Sequence, residues 1–157
     1  MKKRYSTLCA FIALIMMACQ ALDSGNLVGP AGGFVFYDKG NYSAGWRYLE
    51  CAPKNVGTGT WERAKQLCEN YSHGGYDDWR LPDIDELEEL LDDVHGWSML
   101  NVGVYWSSTT ESNSFAWGIQ NGDSPTPKGN SYSNGNVQTP ATYRKNGEYW
   151  VRPVRSF

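Results

Sequence analysis

Pro82-Asp83-Ile84-Asp85-Glu86-Leu87-Glu88-Glu89-Leu90-Leu91-Asp92-Asp93-Val94 is the stretch on which the reading of the fold turns. Its apolar residues Ile84, Leu87, Leu90, Leu91 and Val94 stand at offsets 0, 3, 6, 7 and 10, one face of a 3.6-residue helix. Pro82 has no amide to give to a ladder, so it does not belong in a strand interior. Asp83 can cap the helix, and Glu86 stands three residues on, the spacing of a capping box. The outer face carries Asp83, Asp85, Glu86, Glu88, Glu89, Asp92 and Asp93, seven acids and no base. Carboxylates in the first turn suit the helix dipole, whereas Asp92 and Asp93 oppose it. Even with Asp77 and Asp78 added, the acids lack the loop spacing and central Gly of a calcium site. The face reads as solvated, with no metal.

The same period appears upstream. Thr60 can cap a helix in which Trp61, Ala64, Leu67, Cys68 and Tyr71 repeat those offsets. Before it, Gly32 to Tyr37 and Trp46 to Cys51 read as strands, with the turn-rich stretch Asp38 to Ser43 between them. Downstream of Asn101, short apolar runs (Val104 to Trp106, Phe115 to Ile119, Tyr149 to Val151) alternate with polar segments. Asn-Gly occurs at residues 121, 134 and 146, and this dipeptide suits the two positive φ values of a type I′ hairpin turn. Three in regular succession predict an antiparallel meander. Pro125, Pro127 and Pro140 are confined to loops or edges. The chain is therefore expected to be α+β: two helices packed on short antiparallel strands, with a long loop-rich C-terminal meander.

Its 157 residues allow one domain of ordinary size. The composition, 41% hydrophobic and 20% charged, excludes a disordered chain, a coiled coil or a collagen-like repeat. A formal charge of −3 argues against a nucleic-acid binder. The first eighteen residues form a segment of their own. Lys2, Lys3 and Arg4 precede an apolar run from Leu8 to Met17, which matches a secretory signal and is too short to span a bilayer. Met16-Met17-Ala18-Cys19 resembles a bacterial lipobox, which implies cleavage before Cys19 and lipidation of its thiol. The expected organisation is a signal peptide over 1–18, a lipidated tether over 19–28 and a domain over 29–157. The anchor would hold it on the bacterial outer membrane or cell surface.

After removal of the signal and lipidation of Cys19, only Cys51 and Cys68 remain. In an oxidising compartment they are expected to form a disulfide; the alternative is two small buried apolar residues. Catalytic signatures are missing. His73 and His95 each sit beside Gly without a nucleophile motif, and Gly29-Pro30-Ala31-Gly32-Gly33 precedes a strand instead of following one, unlike a phosphate loop. The reading is a non-enzyme without a cofactor. Residues 101–157 contain 26 Ser, Thr, Asn and Gly and nine aromatics, but only eight charges. Recognition loops have this composition, because Tyr and Trp offer stiff contact area and small polar residues adapt their hydrogen bonds. Trp106, Trp117 and Trp150 are expected in the core. Ser112, Asn113, Phe115, Gln120, Asn121, Tyr132, Asn134, Tyr143 and Asn146 are expected on a face that binds a protein or glycan ligand.

Several stretches are specific enough to carry a resemblance. They are residues 29–38, Gly45 to Glu50, Trp61 to Ala64 with Cys68, and Gly74-Gly75-Tyr76-Asp77-Asp78-Trp79-Arg80-Leu81-Pro82 with Glu86-Leu87. Tyr105 to Thr110, Ala116-Trp117 and Tyr149-Trp150-Val151-Arg152-Pro153-Val154-Arg155 complete the set. Together they resemble the Lcl C-terminal domain family of bacterial proteins over about residues 29–157. The resemblance implies a C-type-lectin-like fold, similar also to the sulfatase-modifying enzymes. Those enzymes need late cysteines, and none follows Cys68 here. Many relatives carry Cys where Pro153 stands, which leaves Cys51 as the partner for Cys68. The calcium motifs of true lectins are absent. The segment from Tyr105 to Arg155 also looks like the variable region of proteins diversified by retroelements. A structural envelope lipoprotein without a dedicated ligand is the alternative reading, and an enzyme of the sulfatase-modifying-like fold comes third.

Overall fold

The computed structural model describes residues 28–92, 100–122 and 139–157. Its elements run β1 (Phe34–Ser43), β2 (Trp46–Cys51), β3 (Gly57–Gly59), α1 (Trp61–Glu69), α2 (Ile84–Asp92), β4 (Gly103–Thr110), β5 (Phe115–Asn121), β6 (Pro140–Arg144), β7 (Tyr149–Val151) and β8 (Val154–Ser156). Among the described residues the fold is mixed α+β, with two helices and two sheets. The smaller sheet has the order β1-β2-β8, so the first two strands pair with the last one. The larger has the order β3-β7-β4-β5-β6.

Both helices start as their sequences predict. The Thr60 hydroxyl accepts from the Arg63 amide at 3.4 Å. At α2 the capping box closes in both directions: the Glu86 amide donates to Asp83 Oδ1 at 2.8 Å and the Asp83 amide donates to Glu86 Oε2 at 2.9 Å. The helices bury the expected stripes, Trp61, Ala64 and Cys68 on α1 and Leu87, Leu90 and Leu91 on α2. Val94 lies outside the described residues.

The larger sheet separates two apolar clusters, because successive strand residues point to opposite faces. Tyr105 and Ile119 join Leu87, Leu90 and Leu91 of α2 and Phe34, Phe36 and Leu49 of the smaller sheet. Trp106 and Ala116 face the other way, onto Trp61, Ala64 and Cys68 of α1. Two indole N–H groups tie the second cluster to backbone, Trp106 to the Gly59 carbonyl at 2.9 Å and Trp61 to that of Ser107 at 2.8 Å.

Three expectations about the strands are corrected. The first turn is not Asp38 to Ser43: β1 continues through that stretch with a shift of register, and the chain reverses at Ala44-Gly45. Their φ values, 51° and 84°, are the pair that a type I′ turn requires. The Asn-Gly dipeptides at 121 and 146 do not make hairpins. Residues 111–114 join β4 to β5, Gly122 follows the end of β5, and neither Asn146 nor Gly147 has a positive φ. The meander also stops at β6. The chain then crosses to place β7 between β3 and β4, parallel to β4, because Tyr149 and Val151 belong to the cluster under α1. Asn134-Gly135 lies outside the described residues.

The disulfide expected between Cys51 and Cys68 is not formed. Both thiols are free and buried, Cys51 in the cluster under α2 and Cys68 in the cluster under α1. They are thus the small buried apolar residues of the alternative reading. Among the described residues no helix is long and apolar enough to cross a membrane.

Candidate functional site

The glycine-rich stretch before β1 folds around a carboxylate. Glu50 on β2 is fully buried, and its oxygens accept from the Ala31 amide at 3.3 Å and the Gly33 amide at 3.1 Å. Only glycine permits this approach: a Cβ on Gly29 would lie 2.1 Å from Glu50 Oε2. Arg155 on β8 donates to Glu50 Oε1 at 2.5 Å and to both oxygens of Asp78, at 2.7 and 3.1 Å. Its guanidinium lies 3.9 Å from the centre of the Tyr76 ring. The hydrogen bonds from Arg155 hold the Asp78 carboxyl below the usual range, against the opposing effect of its partial burial. Arg80 makes a second fork, with both oxygens of Glu86 at 2.5 and 2.6 Å. The stretches 29–33, 74–82 and 149–155 therefore meet in a packed ionic cluster. That arrangement positions backbone.

The residues expected to bind ligand fall at two ends of the larger sheet. At one end, Ser112 and Asn113 are exposed on the turn between β4 and β5, and Asn146 is exposed on the turn after β6. These turns are neighbours. Phe115 pairs with Arg144, the Lys145 amide donates to the Ser114 carbonyl at 2.9 Å, and the Trp61 amide donates to the Lys145 carbonyl at 2.9 Å. Ser112 shapes its own turn, since its hydroxyl accepts from the Phe115 amide at 3.2 Å. Phe115 is half-buried beneath Arg144, whose guanidinium lies 5.2 Å from the ring centre. Lys65 and Lys145 both cover the Trp61 ring, at 3.9 and 4.2 Å from its centre, and Lys65 pairs with Glu62.

Gln120 and Asn121 lie at the opposite end of β5, and Asn121 is not available to a ligand. It is 6% exposed and its Nδ2 donates to the carbonyls of Leu100 and Asn101. Gln120 is half-buried and likewise donates to backbone, at Asn121 and Gly122. Tyr143, expected to be exposed, is half-buried in an aromatic group with Trp106 and Tyr149. Burial raises the pKa of its hydroxyl. Of the tryptophans expected in the core, Trp106 is fully buried, whereas Trp117 and Trp150 are half-buried. Tyr132, Asn134 and Cys19 lie outside the described residues.

The charged and polar networks carry no sequence signal of the kind that marks the helices. Glu50 and Arg155 are 105 positions apart, and a salt bridge at that distance has no periodicity. The available sign is the run of glycines next to a strand, which marks a close backbone approach. Of the acids expected on the outer face of α2, Asp85, Glu88, Glu89 and Asp92 line an open hollow of about 400 Å³, Glu86 is drawn into its pair with Arg80, and Asp93 lies outside the described residues. Among the described residues no group of His, Cys, Asp and Glu is placed to hold a metal ion.

A mixed two-sheet domain, with an ionic cluster built around the buried Glu50–Arg155 pair and polar turns at one end of its larger sheet, is the class that this geometry defines. Residues 40–155 match the family described as the Lcl C-terminal domain, and the chain belongs to that family. A comparison with curated proteins gave no match.

Proposed function

We propose that this is a binding domain of the bacterial cell surface, anchored through a lipid on Cys19, and that it takes a protein or glycan ligand on its C-terminal turns. A C-type-lectin-like fold is part of that reading, and the pairing of the first two strands with the last one supports it. The observation that carries the ligand face is the meeting of the two turns that bear Asn113 and Asn146. The two residues are 33 positions apart in sequence, yet backbone hydrogen bonds seat their turns together on the end of a rigid sheet. Preorganised polar groups on such a base lose little entropy on binding. The domain acts by recognition and not by catalysis.

Two measurements test this. Cells fed labelled palmitate should label the wild-type chain and not Cys19→Ala; an unlabelled wild type refutes the anchor. The wild-type chain should bind members of an array of neutral and acidic oligosaccharides or of immobilised extracellular matrix proteins. Asn113→Ala/Asn146→Ala should lose that signal with unchanged thermal unfolding. Undiminished binding refutes the face, and a wild type that binds none of these probes refutes the ligand class.

A further inference from the structure

The segment that precedes β1 is held in a way that β1 itself does not need. An antiparallel strand pulled from its end opens one residue pair after another, so each rupture involves few hydrogen bonds. β1 is entered from Val28, and its first pairs are Phe34 with Cys51 and Val35 with Glu50. Residues 29–33 form a strap at that point. Ala31 and Gly33 donate their amides to Glu50, which Arg155 binds from β8. Gly74 presses on the strap from outside, so closely that a Cβ there would stand 2.1 Å from the Ala31 carbonyl oxygen. The entry of the first strand is thus tied through a buried ion pair to the last strand.

We propose that the strap and the Glu50–Arg155 pair form a mechanical latch. Tension arriving through the residues before Val28 is passed to β2 and β8 together, and β1 is protected from peeling. The latch rests on the reading above, in which Cys19 is the anchor and the turns at Asn113 and Asn146 hold the ligand, because tension then runs between those points. Its release frees five residues, whose full extended span of about 17 Å is the upper bound on the lengthening of the connection.

The test is single-molecule pulling on the full chain with handles attached at two pairs of positions. Handles at Gln20 and Asn113 load the latch; handles at Glu69 and Asn113 bypass it. Glu50→Gln should lower the rupture force through Gln20 and bring a short extension step before the main rupture, with the force through Glu69 unchanged. In hydrogen exchange the Ala31 and Gly33 amides should speed up about tenfold, equivalent to about 1.4 kcal/mol, while α2 amides keep their rates. An equal loss of force in both geometries, or no loss through Gln20, overturns the latch. If Glu50→Gln does not fold, Gly29→Ala gives the same readout, since it keeps both charges and displaces the strap. Neither measurement needs lipid or ligand. A failed latch therefore leaves the anchor standing, and an unlabelled Cys19 leaves the forces as measured.

Discussion

Tyr105→Phe removes one oxygen from the middle of the protein and asks what it holds. The ring is fully buried in the cluster under α2, and its hydroxyl accepts from Asn55 Nδ2 at 2.8 Å and from the Asn101 amide at 2.7 Å. Asn55 in turn accepts from Arg152 Nη1 at 3.2 Å. The hydroxyl therefore links the loop after β2 to the segment entering β4. The substitution keeps the packing, so there is no cavity cost; the loss is two donors left without their acceptor. An unsatisfied buried donor costs about 1–3 kcal/mol. Asn101 is exposed and Asn55 half-buried, so water can reach both. The lower part of that range applies, about 1–2 kcal/mol in all. With a urea slope of about 2 kcal/mol/M, the middle of the usual range, the unfolding midpoint should fall by roughly 0.5–1 M at unchanged slope. Combining Tyr105→Phe with Asn55→Ala in a double-mutant cycle should give a coupling above about 0.5 kcal/mol, as groups in one network do. A midpoint equal to the wild type's, or strictly additive losses, would refute the claim that this hydroxyl organises the two loops.

Three further outcomes follow from the same structure. Gly74→Ala should be far more damaging than Gly75→Ala, because both have positive φ but only the Gly74 Cβ would collide with backbone, and thermal melts of the pair measure the difference. The folded-state pKa of Asp78 is lowered, so the unfolded chain binds the proton more readily; that part of the stability is present above pH ~4 and lost on acidification through the folded pKa. Since the Asp78 side chain is 51% exposed, the effect is modest, and Asp78→Asn should flatten the acid limb of a stability–pH curve. Burial raises the pKa of both thiols, that of Cys68 to about 12 with a further contribution from Glu69, so Cys51 and Cys68 should react with a thiol reagent only after denaturation. Recovery of both thiols without a reductant is the expected count, and its absence would restore the disulfide.

The helices are legible from local signals. An apolar stripe with a capping residue at its head depends only on neighbours within a few positions, so Thr60, Asp83 and Glu86 can be read directly. Turn chemistry is a weaker guide. Asn-Gly favours a type I′ turn, but Gly147 is spent on close packing, with a Cβ there only 2.7 Å from the Tyr149 ring. The true I′ turn falls at Ala44-Gly45, which has a weaker sequence signature. Exposure of single residues also lies beyond the sequence. Tyr143 and Asn121 sit in a polar, loop-like stretch, and only the pairing of β5 with its neighbours turns one onto Trp106 and the other onto the Leu100 and Asn101 carbonyls.

By itself the sequence determined the α+β class, the order of the helices between two groups of strands, and the stretches that mark the family. These rest on period and on contiguous motifs. Tertiary structure alone decided that β7 inserts beside β4, that the two thiols stand in different clusters, and that Glu50 meets Arg155 behind a glycine strap. Each of these depends on which surfaces become buried against one another across the whole chain. A buried charge must find its partner wherever the fold brings one, and spacing along the chain does not record that choice.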